Sequence, residues 1–236
     1  MRLIASVIGR CLKLFSWEEI RPVHGISPAI LASAIADRFQ FQIKPPLPLP
    51  PDSVAKFGDG SVVIGDILIA IQRLETYSDG FSVDCSNTDD AKLVSDEIVN
   101  WAQADLGFKP FIRPPKHVFL SQVTVEFAPE FENIFRGWKR LQALLGERAK
   151  SRYEFTQDVN LLRLQWRGDP FTLANNTLLS DFWIERKAAE PFSANRWHCS
   201  GALPTSEWVE LLEAMERIAV HDDISELIQN SNGGNF

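Results

Sequence analysis

The stretch YSDGFSVDCSNTDD, residues 77 to 90, crowds Asp79, Asp84, Asp89, Asp90 and Cys85 among hydroxyl side chains. Carboxylates and a thiol at such density could ligate a metal or serve as acid, base and nucleophile. Local structure offers a simpler account of most of them. Ser78-Asp79-Gly80 separates two β-rich runs, and Asp-Gly supplies the positive φ of a tight hairpin turn. Asn87 or Thr88 can cap a helix whose first turn holds Asp89 and Asp90, where carboxylates favour the positive end of the helix dipole. Only Asp84 and Cys85 are left, and neighbours on a strand face opposite ways. The stretch therefore reads as a hairpin running into a capped helix.

Other chemical residues are scattered. His24, His117, His198 and His221 form no HxH or HExxH spacing. His198-Cys199 is the one suggestive catalytic pair. On a strand, however, the two diverge, so His198 would need Cys85 or a distant carboxylate brought to it. Phosphate-binding, nucleophile-elbow and kinase signatures are absent from the sequence. No catalytic machinery, metal or cofactor is expected on these grounds. Cys11, Cys85 and Cys199 are odd in number and far apart, which suits neither a disulfide framework nor a zinc site and predicts buried thiols.

With 236 residues, 45% apolar and 23% charged, the chain has globular chemistry and enough length for one large domain or two small ones. No apolar run approaches the roughly 20 residues of a membrane span, and MRLIASVIGRCLK has too short an apolar core for a secretory signal. A cytoplasmic protein without membrane contact is expected. Asn175-Asn176-Thr177 and Arg167-Gly168-Asp169 match extracellular motifs that this setting would leave unused.

Leu3, Ile4, Val7, Ile8, Cys11, Leu12 and Phe15 recur at helical spacing and predict a helix over 3–15, with a strand as the alternative. Ser27 and Pro28 open a second helix over 27–39, with Ile30, Leu31, Ile35 and Phe39 on its stripe. Five prolines within 45–51 predict a polyproline II spacer. Beyond it, SVVIGDILIAIQRLETY and FSVDCS read as paired strands, and Val94, Ile98, Trp101 and Ala102 mark the helix that Gly107 closes. HVFLSQVTVEF is an alternating strand. Pro129 opens a helix whose buried stripe is Phe131, Ile134, Phe135, Trp138, Leu141, Leu144 and Leu145, ended by Gly146. NLLRLQWR turns Leu162, Leu164 and Trp166 inward, SDFWIERK and NRWHCSG add strands, and Thr205 caps a helix carrying Trp208, Leu211, Leu212, Met215 and Ile218. A short helix at 222–229 ends the pattern.

The fold class expected is α+β, antiparallel sheets with amphipathic helices packed on one face. Its divisions are an N-terminal helical arm (1–44), the spacer (45–51) and two sheet-plus-helix halves (52–115 and 116–236). If residues 3–15 are a strand, the halves form a tandem β-α-β-β-(β)-α repeat. That order resembles architectures laying helices across a curved antiparallel sheet, the TATA-binding-protein-like and ferredoxin-like folds among them, an analogy that implies no function.

Charge is segregated. Arg136, Lys139, Arg140, Arg148, Lys150 and Arg152 face a single acid in 136–152, a local +5, whereas residues 197–236 hold one base and seven acids, −6. Arg163, Arg167, Arg186 and Arg196 alternate with Trp166, Trp183 and Trp197, types that a nucleic-acid-binding sheet uses. The net charge of −7 works against polyanion binding. Pro45-Pro46-Leu47-Pro48 matches a WW-domain ligand, and serves equally as a stiff connector. Together these features point to a non-catalytic interaction subunit or adaptor of a larger intracellular assembly, with a protein partner or self-association. The alternatives are an enzyme or small-ligand binder with a pocket in the sheet concavity, where His198, Arg196 and Trp183 would meet, and a nucleic-acid-binding protein using 136–152.

Overall fold

Residues Arg2–Leu14 form a strand, β1, which corrects the helix predicted over 3–15. The doublets Leu3-Ile4, Val7-Ile8 and Cys11-Leu12 satisfy helical spacing, but they equally suit a strand that sends one member to each face, with Cys11 buried under the helices and Leu3, Ile4 and Val7 left exposed. Irregularities between Leu3 and Ala5 and between Ser6 and Ile8 shift the register against the neighbouring strand, so strict alternation is broken. Gly9 explains the choice further. A Cβ there would sit 1.9 Å from the backbone carbon of Asn87, so a helix start rests directly on the bare strand.

The computed structural model describes residues 1–48, 54–153, 160–167, 181–188 and 190–221. After β1 come a single helical turn, α1 (Trp17–Ile20), and α2 (Pro28–Arg38). Strands β2 (Lys56–Ile64), β3 (Ile67–Tyr77) and β4 (Gly80–Cys85) follow, then α3 (Thr88–Asp105). The second half holds β5 (Lys116–Glu126), a 3-10 helix (Pro129–Phe135), α4 (Arg136–Tyr153), β6 (Arg163–Trp166), β7 (Phe182–Arg186), β8 (Arg196–Gly201) and α5 (Thr205–His221). All eight strands join one antiparallel sheet in the order β2-β3-β4-β1-β5-β8-β7-β6. The fold is thus α+β, with the helices on one face of that sheet. Strands β1 and β5 pair at its centre, so the sheet runs unbroken between the two halves.

Several local expectations change. SVVIGDILIAIQRLETY is two strands, because Gly65 takes φ +60° and turns the chain between β2 and β3. The helix expected from Pro129 to Gly146 begins as a 3-10 helix and, as α4, runs past Gly146 to Tyr153. Trp138, Leu141, Leu144 and Leu145 on α4 are exposed rather than buried, as are Ile30 on α2 and Leu211 on α5. Trp166, on the edge strand β6, and Leu162 just before that strand are exposed rather than turned inward. Residues 49–51 of the proline spacer, the helix predicted at 222–229, Asn175-Asn176-Thr177, and Gly168 and Asp169 lie outside the described residues.

Two apolar clusters fill the space between sheet and helices. One gathers Phe39, Phe57, Ile71, Leu74, Val83 and Val94 beneath α2 and α3. The other gathers Val123, Phe131, Ile184, Trp197, Trp208 and Leu212 beneath the 3-10 helix and α5. Between them lies a buried polar contact. Thr88 N donates to Thr205 Oγ1 at 3.0 Å, while Thr205 N donates to Thr88 Oγ1 at 2.5 Å. Helices α3 and α5 therefore meet start to start, each hydroxyl satisfying an amide of the other helix that has no partner within its own. Ser121, the register partner of Gly9, lies 3.0 Å from Thr205 Oγ1 and donates to Leu203 O at 2.7 Å.

Candidate functional site

The catalytic candidates are separated by the fold. Cys199 is fully buried on the helix side of β8, whereas His198 is half-buried on the open side. Cys85 is equally buried, on β4, with β1 and β5 between it and β8. Three inter-strand steps put those strands roughly 14 Å apart. No thiol thus lies within reach of His198. Burial also pushes the Cys11 thiol up to about 11 and Cys85 to about 12, and raises Cys199 further, so all three stay protonated and unreactive at neutral pH. Among the described residues no three His, Cys, Asp or Glu side chains group as metal ligands.

Asp84, left without a role by its sequence context, proves structural. Its carboxylate is nearly buried on the open face and accepts from Arg10 Nε and Nη2 at 2.6 and 2.8 Å. Arg73 Nε adds a third bond at 3.2 Å. Beside it Tyr77 Oη donates to Glu75 Oε2 at 2.6 Å, and this bond, with Lys56 and Arg73 nearby, lowers the Glu75 pKa. The carboxylates of β3 and β4 are therefore fully engaged by cations within the same sheet.

The open face of the second half follows the same pattern. Arg196 Nε and Nη1 donate to Glu126 and Glu190, each at 3.0 Å. Arg167 holds Asp181 through two bonds of 2.5 and 2.7 Å, and Arg163 reaches Glu185 at 3.3 Å while stacking 4.7 Å over the Trp183 ring. Trp183 and His198 lie 5.3 Å apart, so His198, Arg196 and Trp183 do share one surface. Arg186 points the other way. It is 6% exposed, donates to Leu161 O and Phe192 O, pairs with Glu132 and stacks on Trp197. Each of these four arginines, Arg163, Arg167, Arg186 and Arg196, thus already has an acceptor within the chain.

The basic segment 136–152 occupies α4, whose main body contact runs through the short 3-10 helix before it. Gly146 is buried and, with Lys139 and Gln142, lines a cleft of about 430 Å3 against Glu132 and Arg186. At 100° per residue, Leu141, Leu144, Leu145, Arg148 and Arg152 fall on the opposite side, with Trp138 and Arg140 at its borders. Trp138 is 52% exposed and the three leucines 43–52%. An apolar patch of four large side chains, interleaved with guanidinium groups, is therefore open on one helix. Helical spacing identifies these residues as a stripe, but it cannot say which stripe of a helix finds a neighbour.

In the proline tract, Pro45 is buried while Pro46, Leu47 and Pro48 are exposed, so only part of the WW-type ridge is accessible. Among the described residues no helix is long and apolar enough to cross a membrane. The class that fold and surface define is an α+β protein, one antiparallel sheet with helices on a single face. No family model matches the chain, and no curated protein is similar to it.

Proposed function

We propose that this protein is a non-catalytic interaction subunit that docks a protein partner through the outer face of α4. The observation that carries this reading is the open Trp138, Leu141, Leu144 and Leu145 patch set among Arg140, Arg148 and Arg152. Large apolar side chains clustered on a surface mark interaction sites, and Trp and Arg are the types that dominate interface energetics. The complementary partner presents apolar side chains ringed by carboxylates. That charge choice favours encounter with an acidic protein and disfavours basic ones. Supporting the same reading, the thiols are buried, and the open-face carboxylates and arginines are satisfied internally.

Purification of the tagged full chain from its native cell, beside a Leu141→Glu/Leu145→Glu variant, tests this. A stoichiometric protein partner should accompany the parent at moderate salt and be lost from the variant, with thermal unfolding of the two chains alike. Equal retention by both, a chain that purifies alone, or an eluate dominated by nucleic-acid absorbance overturns it.

A further inference from the structure

A cleft of about 320 Å3 opens between α1, α2 and the paired ends of β2 and β3. Its walls include Trp17, Ile26, Leu31, Ile35, Phe57 and Phe108. The volume lies at the lower end of the roughly 300–1,000 Å3 typical of small-molecule sites. Four of its residues, Trp17, Leu31, Ile35 and Phe108, also bound a second void of about 30 Å3, reaching toward Phe81 and Ile98. A space of that size could hold a water, but water needs two to four polar partners, and apart from Gln103, whose amide donates to Lys109 O at 3.3 Å, these walls offer apolar side chains. The nearest indole is no substitute, because Trp17 Nε1 already donates to Tyr77 O at 2.7 Å.

Among the described lining residues, charge occurs only in Glu18 and Arg21. The two are 3.6 Å apart and their side chains 81% and 60% exposed. A pair so exposed is weak, and leaves the Arg21 guanidinium able to accept another anion. We propose that this cleft binds a small amphiphile, an apolar body of medium-chain length seated against Leu31, Ile35 and Phe108, with one carboxylate-like head on Arg21. The body displaces water that the apolar walls hold poorly, and the head stays solvated at the rim. This site is independent of the α4 surface.

Calorimetric titration of the full chain with octanoate, octanol and octylammonium tests both halves of the proposal, since the three share an apolar body and differ in head charge. Saturable binding is expected in the affinity order octanoate, octanol, octylammonium. Arg21→Glu, at an exposed position, should weaken octanoate about threefold or more, leave octanol unchanged and favour octylammonium. Leu31→Trp, which fills the cleft, should abolish all three. Absence of saturable binding overturns the site, an unchanged order in Arg21→Glu overturns the anionic head, and loss of binding in Leu141→Glu/Leu145→Glu moves it to α4.

Discussion

Asp84 holds two arginines from different strands, and its carboxylate is almost fully withdrawn from water. Removing one member of a buried ion pair leaves uncompensated charge, at about 3–5 kcal/mol when both partners are buried. Arg10 and Arg73 retain some access to solvent, so Asp84→Ala should cost about 2 kcal/mol or more, read from urea denaturation. A loss below about 0.5 kcal/mol would show that solvent already satisfies these guanidinium groups. The histidines set a second residue-level expectation. Burial lowers both His117, beside Lys13 and Asp96, and His198, beside Glu185 and Lys187, below the ordinary 6.5. The unfolded chain then binds protons before the native one does. Stability from these groups is full above 6.5 and declines as pH falls through that value toward the lower native ones. The urea midpoint should accordingly drop between pH 7.5 and 5.5, and His117→Gln with His198→Gln should flatten that slope.

At the scale of elements, the junction of α3, α5, β1 and β5 is the most constrained point. Gly9→Ala would drive a Cβ into the backbone at Asn87 and Thr88, which no side-chain rotation relieves. The variant should unfold at markedly lower urea, whereas alanine at Gly65 meets no neighbouring atom and costs only its strained φ. Thr88→Val and Thr205→Val each remove one side of a reciprocal cap, worth about 1–2 kcal/mol. Because each hydroxyl serves the other helix, the double variant should lose less than the sum of the singles. Strict additivity would mean that the two helix starts are stabilised separately. The hairpin and the Asn87 cap were legible beforehand, since Asp90 N does donate to Asn87 Oδ1 at 2.8 Å and β3 does turn into β4 at Ser78-Asp79. Turns and caps depend on residues within four positions of one another, and their signals survive any tertiary context.

Over the whole molecule, the continuous β1–β5 pairing joins both apolar clusters into one sheet. Tryptophan fluorescence, with Trp101 in one cluster and Trp197 and Trp208 in the other, should therefore report a single urea transition coincident with far-UV circular dichroism. Two separated transitions would mark the halves as independent domains. The sequence by itself determined the α+β class, most strands and helix starts, the divergence of His198 from Cys199 and the burial of the three thiols, all consequences of short-range periodicity and side-chain chemistry. Tertiary structure alone decided that 2–14 is a strand, since its apolar doublets fit either period until β4 and β5 paired on either side of Gly9 and the start of α3 settled over it. It also decided that Asp84 is a clasp for two arginines and that the apolar stripe of α4 is exposed, with no neighbour among the described residues, because partners distant in the chain leave no mark on local spacing.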